Sequence, residues 1–150
     1  GDRRRDAADR IDLRFVHAEL APTAASERNG ASVASLAEVY CHADLITYPS
    51  LYEGFGNAFL EAIYFKKPIL VNRYSIFIAD IEPKGFRTVA MDGFISDEVV
   101  SHVKKVMDEE EYREMMADVN FRLGKAHFSF DILRRDLKSI LASFFGVNGV

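Results

Sequence analysis

The chain has 150 residues, 49% of them hydrophobic, and a net charge of −4 from 19 basic and 23 acidic side chains. This length and composition fit one globular domain with a substantial core and exclude disordered and fibrous classes. The acidic balance argues against a nucleic-acid partner, which needs a concentrated basic face, but leaves room for a small anion held by backbone N–H groups. Cys41 is the only cysteine, so no intrachain disulfide forms. No apolar run reaches the ~20 residues of a membrane span. A cytoplasmic domain is expected, with peripheral membrane association of a parent protein left open.

Gly1–Arg10 (GDRRRDAADR) reads as the tail of a charged surface helix. Its Arg3–Arg5 run is balanced by Asp2, Asp6 and Asp9, so it is a solvated face rather than a binding patch. Strands are expected at Arg14–Ala18, Asp44–Tyr48, Pro68–Asn72 and Arg87–Met91. The second and third are nearly continuous in apolar residues, as parallel strands covered on both faces are. Helical patterns alternate with them at Ser32–His42, Asn57–Lys66 and, more briefly, Ser75–Ile81. That order predicts an α/β fold, a Rossmann-like doubly wound parallel sheet. The phosphate-facing strand and turn that should open such a domain are missing, so residues 1–150 read as a domain truncated at its N-terminal side.

After Met91 the pattern becomes helical. Ser96 is an N-cap, followed by Asp97 and Glu98 in the first turn, where the helix dipole favours acids. A second helix is expected over about Glu110–Lys125, ending near Gly124, and a third over about Ser129–Phe145. In the third, Ile132, Leu133, Leu137, Ile140, Leu141 and Phe144 form one apolar stripe, with Gly146 as the stop.

The chemistry concentrates in Pro49–Glu61 (PSLYEGFGNAFLE), between the second strand and its following helix. Ligands of parallel α/β sheets bind beyond the carboxyl ends of the strands. Gly54 and Gly56 permit positive φ and close backbone approach. Asn57 is a candidate N-cap, leaving the N–H groups of Ala58, Phe59 and Leu60 to face a phosphate or pyrophosphate. Glu53 and Glu61, eight positions apart, frame the same loop. Two carboxylates repel an anion between them, so their partners must be neutral donors such as sugar hydroxyls. Hydroxyls, then phosphates, then hydroxyls again describe a nucleotide sugar.

Glu53-Gly-Phe-Gly, Glu61-Ala62 and Pro68-Ile-Leu-Val, with Leu36–Asp44 (LAEVYCHAD) and Pro49-Ser50 upstream, resemble the E-x7-E signature of the group 1 (family 4) retaining glycosyltransferases. The likeness covers about Ile11–Val71 clearly and the terminal helices loosely. It implies a GT-B architecture, with this chain as a partial C-terminal, nucleotide-sugar-binding domain and the acceptor-binding N-terminal domain missing. The resemblance places Glu53 on the transferred sugar near the anomeric centre, as the catalytic residue. Gly54, Phe55 and Gly56 would add backbone contacts to the sugar, Asn57 and Ala58 would face the diphosphate, and Glu61 would hold the ribose. It further implies transfer of a hexose with retention of configuration, no cofactor and no metal. The leaving phosphate would help take the acceptor's proton, with Glu53 as covalent nucleophile the alternative.

Two departures stand out. The family's basic pair on the diphosphate would lie upstream of Gly1. Where the family commonly has Gly-Gly, this chain has Asn72-Arg73-Tyr74-Ser75, which makes Arg73 a candidate substitute phosphate contact. His17 ends a strand where the family contacts the nucleobase, although a polar strand terminus has the same appearance. Cys41 and His42 lack a second ligand pair spaced for zinc and read as helix-end packing and surface. The competing functions are a glycoside phosphorylase or a sugar-nucleotide epimerase on the same fold, and a non-catalytic nucleotide-binding module. The paired glutamates count against the last.

Overall fold

The computed structural model describes residues 26–28, 31–33 and 35–146. The expected strand Arg14–Ala18, the charged stretch Gly1–Arg10 and His17 lie outside these residues. The chain divides into two units, Gly1–Glu38 and Val39–Val150.

In the first unit, β1 (Ser26–Arg28) pairs antiparallel with β2 (Ala31–Val33), Arg28 opposite Ala31. This hairpin replaces the beginning of the helix expected from Ser32. The intervening sequence is Asn29-Gly30, the dipeptide that most favours a two-residue hairpin connection. The helix α1 (Leu36–His42) begins later because Ser35 and Glu38 form a reciprocal capping box. Ser35 Oγ accepts from Glu38 N–H (3.2 Å), and Glu38 Oε2 accepts from Ser35 N–H (2.6 Å).

The second unit is built on a parallel sheet in the order β3 (Ile46–Tyr48), β4 (Ile69–Asn72), β5 (Val89–Met91). The register sets Ile46 against Ile69 and Leu70 against Val89. Every residue of β4 is buried, as its unbroken Ile-Leu-Val run requires of a central parallel strand. Between β3 and β4 runs α2 (Asn57–Tyr64). The short helix expected at Ser75–Ile81 is there, but Phe77–Ile81 winds as a π-helix and passes into a 3-10 turn at Glu82–Lys84. Three helices follow: α3 (Asp97–Asp108), α4 (Glu110–Phe128) and α5 (Phe130–Phe145). Ser96 caps α3 as expected, accepting from Val99 N–H.

Two apolar clusters hold the unit together. Leu70, Val89 and Met91 of the sheet pack with Val99, Val106 and Met116 of α3 and α4. An aromatic cluster joins Phe59 of α2 to Phe77 and Phe86, and Phe86 stacks on Phe128 of α4. Asn120, 1% exposed, satisfies its amide by exchanging two 2.7 Å hydrogen bonds with the backbone of Arg87.

Gly124 does not end α4. The helix runs on to Phe128, and a Cβ at Gly124 would lie 2.8 Å from Ile63 Cγ2. The glycine lets α2 and α4 approach closely, a tertiary requirement that overrides its low helix propensity. The apolar stripe of α5 is present but unburied: Leu133, Leu137, Ile140 and Phe144 are 52–79% exposed.

Candidate functional site

The site grows from the carboxyl end of β3. Tyr48 is its last residue, and the following loop carries Glu53 and the Gly54-Phe55-Gly56 turn into α2. The start of α2 at Asn57 matches the sequence expectation, but the cap does not. Gly56 is the N-cap, at φ 99° and ψ 77°, and Asn57 is the first helical residue, without a side-chain cap bond. A left-handed residue at the junction needs glycine, so Asn57 is displaced into the helix. Phe59 N–H already bonds Gly56 O (3.0 Å), which removes it from the donors expected to face a ligand.

The two glycines have different reasons. Gly56 is confined both by its φ and by space, since a Cβ there would lie 2.6 Å from Tyr74 Oη and 3.1 Å from Tyr48. Gly54 lacks a positive φ, contrary to expectation, and a Cβ would meet nothing within 4 Å. Nothing in the fold demands glycine at that exposed position.

Each glutamate receives a tyrosine. Tyr40 Oη donates to Glu61 Oε2 at 2.9 Å, and Tyr40 is buried against Phe65 with ring centroids 5.0 Å apart. Burial and the Glu61 carboxylate both raise the Tyr40 phenol well above its ordinary range. Glu53 is half-buried, and hydrogen bonds from the Tyr48 and Ser50 side chains hold its carboxyl below the usual value. Burial, with the hydrogen bond to Glu53 second, pushes Tyr48 up to about 12.

Phe55 is pinned twice. Its ring packs edge-on against Phe128 at 5.1 Å, and its carbonyl accepts from Tyr74 Oη at 2.7 Å. The carbonyl is therefore engaged within the protein rather than offered to a ligand.

Arg73, the candidate phosphate contact, is committed elsewhere. Its guanidinium grips Glu82 at 2.9 and 2.8 Å and reaches Asp92 at 3.1 Å. A phosphate at Arg73 would have to displace two carboxylates, so its geometry is that of a brace between loops. A surface cavity of about 520 Å³ lies at the opposite, amino-terminal edge of the sheet, beside Asp44, Lys66 and Pro68. Lys66 there is already paired with Asp118 at 2.8 Å, so this hollow is unrelated to the glutamates.

The tyrosines were the residues that sequence reasoning missed. Tyr40 lay within the stretch that carried the family likeness, and Tyr74 within the departure from it, but neither had a local pattern announcing a bond to the Glu53–Glu61 segment.

A parallel α/β sheet whose β3 leads through a glycine turn into α2, with two glutamates framing that turn, defines an α/β domain with a candidate ligand site at the carboxyl edge of its sheet. Residues 30–120 match the family described as "Glycosyl transferases group 1", and the chain belongs to that family. It is 36% identical to the mannosylglucosylglycerate synthase of Thermotoga maritima, over 67% of this chain and 27% of that protein. It is 53% identical to the Petrotoga mobilis protein of the same name over 38% of this chain and 13% of that one. The chain thus corresponds to about a quarter of the first relative's length. No solved structure matches it. No described helix is long and apolar enough to cross a membrane.

Proposed function

We propose that this glycosyltransferase chain is the donor-binding part of a retaining enzyme. Glu53 meets the hydroxyls of the transferred hexose and stabilises positive charge at its anomeric carbon. The start of α2 at Asn57 and Ala58 faces the diphosphate, and Glu61 holds the ribose. The observation that carries this reading is the pair of glutamates on either side of the Gly56 helix start, with Glu61 oriented by the 2.9 Å bond from Tyr40. Neutral hydroxyls suit such carboxylates, because a hydrogen bond to a charged group is worth roughly 1.5–3 kcal/mol.

The name shared by both relatives, mannosylglucosylglycerate synthase, favours a nucleotide-activated mannose as donor and glucosylglycerate as acceptor. The acceptor would be bound largely by parts of the full-length protein outside these 150 residues. The diphosphate needs no metal in this reading, and His17 is a candidate nucleobase contact. The test is calorimetric titration of the full-length protein with GDP-, UDP- and ADP-mannose in EDTA, followed by transfer to glucosylglycerate. Binding of one of them, with an α-linked product from an α-linked donor, is expected. Inversion, or dependence on a divalent ion, overturns the corresponding part.

A further inference from the structure

The stretch from the last residue of β4 onward departs from the family's usual Gly-Gly, and Asn72, Arg73 and Tyr74 each tie a different part of the sheet's carboxyl edge. Asn72, 4% exposed, donates from Nδ2 to Ser50 O (3.2 Å) and accepts at Oδ1 from Gly93 N–H (2.7 Å). Arg73 joins Glu82 to Asp92. Tyr74, 2% exposed, donates to Phe55 O (2.7 Å) and meets Tyr48 edge-on with centroids 6.3 Å apart.

The loop carrying Glu53 is therefore braced on both sides: at Ser50, three residues before it, by Asn72, and at Phe55, two residues after it, by Tyr74. Tyr74 has a second hold. Its ring meets Tyr48, the last residue of β3, from which the Glu53 loop departs. Its hydroxyl also fills the space that a side chain at position 56 would take, so the glycine turn and the tyrosine fit each other. A flexible glycine turn has no conformational preference strong enough to fix a carboxylate, and a buried hydrogen bond to its carbonyl supplies one.

We propose that Tyr74 is a positioning residue for Glu53, fixing the Gly54-Phe55-Gly56 turn through the carbonyl of Phe55 and holding Tyr48 in place beside the carboxylate. The inference rests on the reading in which Glu53 touches the transferred sugar.

The test is Tyr74→Phe in the full-length protein, which keeps the ring contacts to Tyr48 and Phe77 and removes one O–H. Transfer is measured from the nucleotide-mannose that the wild type binds to glucosylglycerate, and the matching nucleoside diphosphate is titrated separately. The expected kcat is about tenfold lower, the effect of one hydrogen bond made useful in the transition state. The diphosphate Kd should stay within about twofold, because the Tyr74 hydroxyl bonds the Phe55 carbonyl and makes no hydrogen bond to Glu61, Asn57 or Ala58, and the ring beside Gly56 is kept. In a Glu53→Gln background the same change should cost nothing further, since Tyr74 acts through Glu53. A folded Tyr74→Phe protein with wild-type kcat, beside a slow Glu53→Gln, overturns the role of Tyr74 alone. Equal weakening of kcat and of diphosphate binding also overturns it, because the hydroxyl would then serve the whole loop. Wild-type kcat in Glu53→Gln instead overturns the underlying reading of Glu53.

Discussion

Tyr40, buried against Phe65 in α1, donates its phenolic proton to Glu61 Oε2 across 2.9 Å. The bond reaches from one helix to the next and engages only one of the two carboxylate oxygens. It selects a rotamer for a half-buried glutamate that would otherwise sample several. Tyr40→Phe preserves the stacking on Phe65 and removes only this restraint. The nucleoside diphosphate should bind about 3- to 10-fold more weakly to the full-length variant, as expected for one lost orienting hydrogen bond. Isothermal titration reads this directly, and unchanged affinity would dissociate Tyr40 from the ribose site.

The two glycines of the turn separate fold from function. Gly56→Ala places an L-residue at φ 99° with its Cβ 2.6 Å from a buried hydroxyl. The left-handed conformation alone costs about 1–2 kcal/mol, and the clash adds to it. Its melting temperature should fall by several degrees. Gly54→Ala meets no atom within 4 Å and needs no positive φ, so its melting temperature should match the wild type. If the backbone at Gly54 approaches the donor sugar, the same variant should raise KM for the donor. A Gly54→Ala enzyme with normal stability and normal KM would leave Gly54 without a role in the sugar site.

If Glu53 acts as proposed, its ionisation sets an acid limit on activity. Hydrogen bonds from Tyr48 and Ser50 stabilise its charged form, so its folded pKa lies below the ordinary 4.5. The carboxylate stays ionised as pH falls through 4.5 and is lost only below it, so the stabilisation is present above the unfolded value and disappears at the lower folded one. Tyr48→Phe removes the larger of these bonds. The acid limb of the kcat/KM profile should therefore move upward toward 4.5. Tyr48 itself stays protonated up to about 12 and contributes no basic limb at lower pH. Profiles of the two proteins over pH 3 to 7 decide it, and an unmoved limb would separate Tyr48 from the ionisation of Glu53.

What could be read from the sequence was what local patterns encode. The apolar run Ile69–Val71 identified β4, and the Pro49–Glu61 segment identified both the loop and its helix. The failures came where a distant partner decides. Gly124 looks like a helix end because glycine is a weak helix former, yet Ile63, 61 positions away, is what requires it. Arg73 looks like a free cation beside a ligand loop until Glu82 and Asp92 fold onto it. Asn57 has the chemistry of a cap, but the packing of Tyr74 and Tyr48 on Gly56 moves the junction one residue back. The hairpin at Ser26–Val33 differs, because its Asn29-Gly30 signal is local and competes with the helical periodicity that begins at Ser32.

The glutamates themselves should fail in different ways. Glu61 is oriented by Tyr40 toward a group that, in the proposed reading, is bound equally before and during the reaction. Glu61→Ala should then raise the donor KM with little change in kcat. Loss of roughly 1.5–3 kcal/mol corresponds to about 10- to 150-fold weaker binding. Glu53 lies on the other side of the Gly56 turn, with its carboxylate held ionised by Tyr48 and Ser50. If it faces the carbon where positive charge develops, its interaction strengthens on the way to the transition state. Glu53→Gln, which keeps the shape and removes the charge, should lower kcat by about 100-fold while changing donor KM little. The nucleoside diphosphate lacks the sugar, so it should bind the Glu53 variant nearly normally and the Glu61 variant poorly. Steady-state kinetics of the full-length enzyme, paired with titration of the diphosphate, measure both halves of this contrast. The same pattern in both variants, or the reverse pattern, would exclude the division of labour, because each carboxylate is assigned to one end of the donor and cannot serve both.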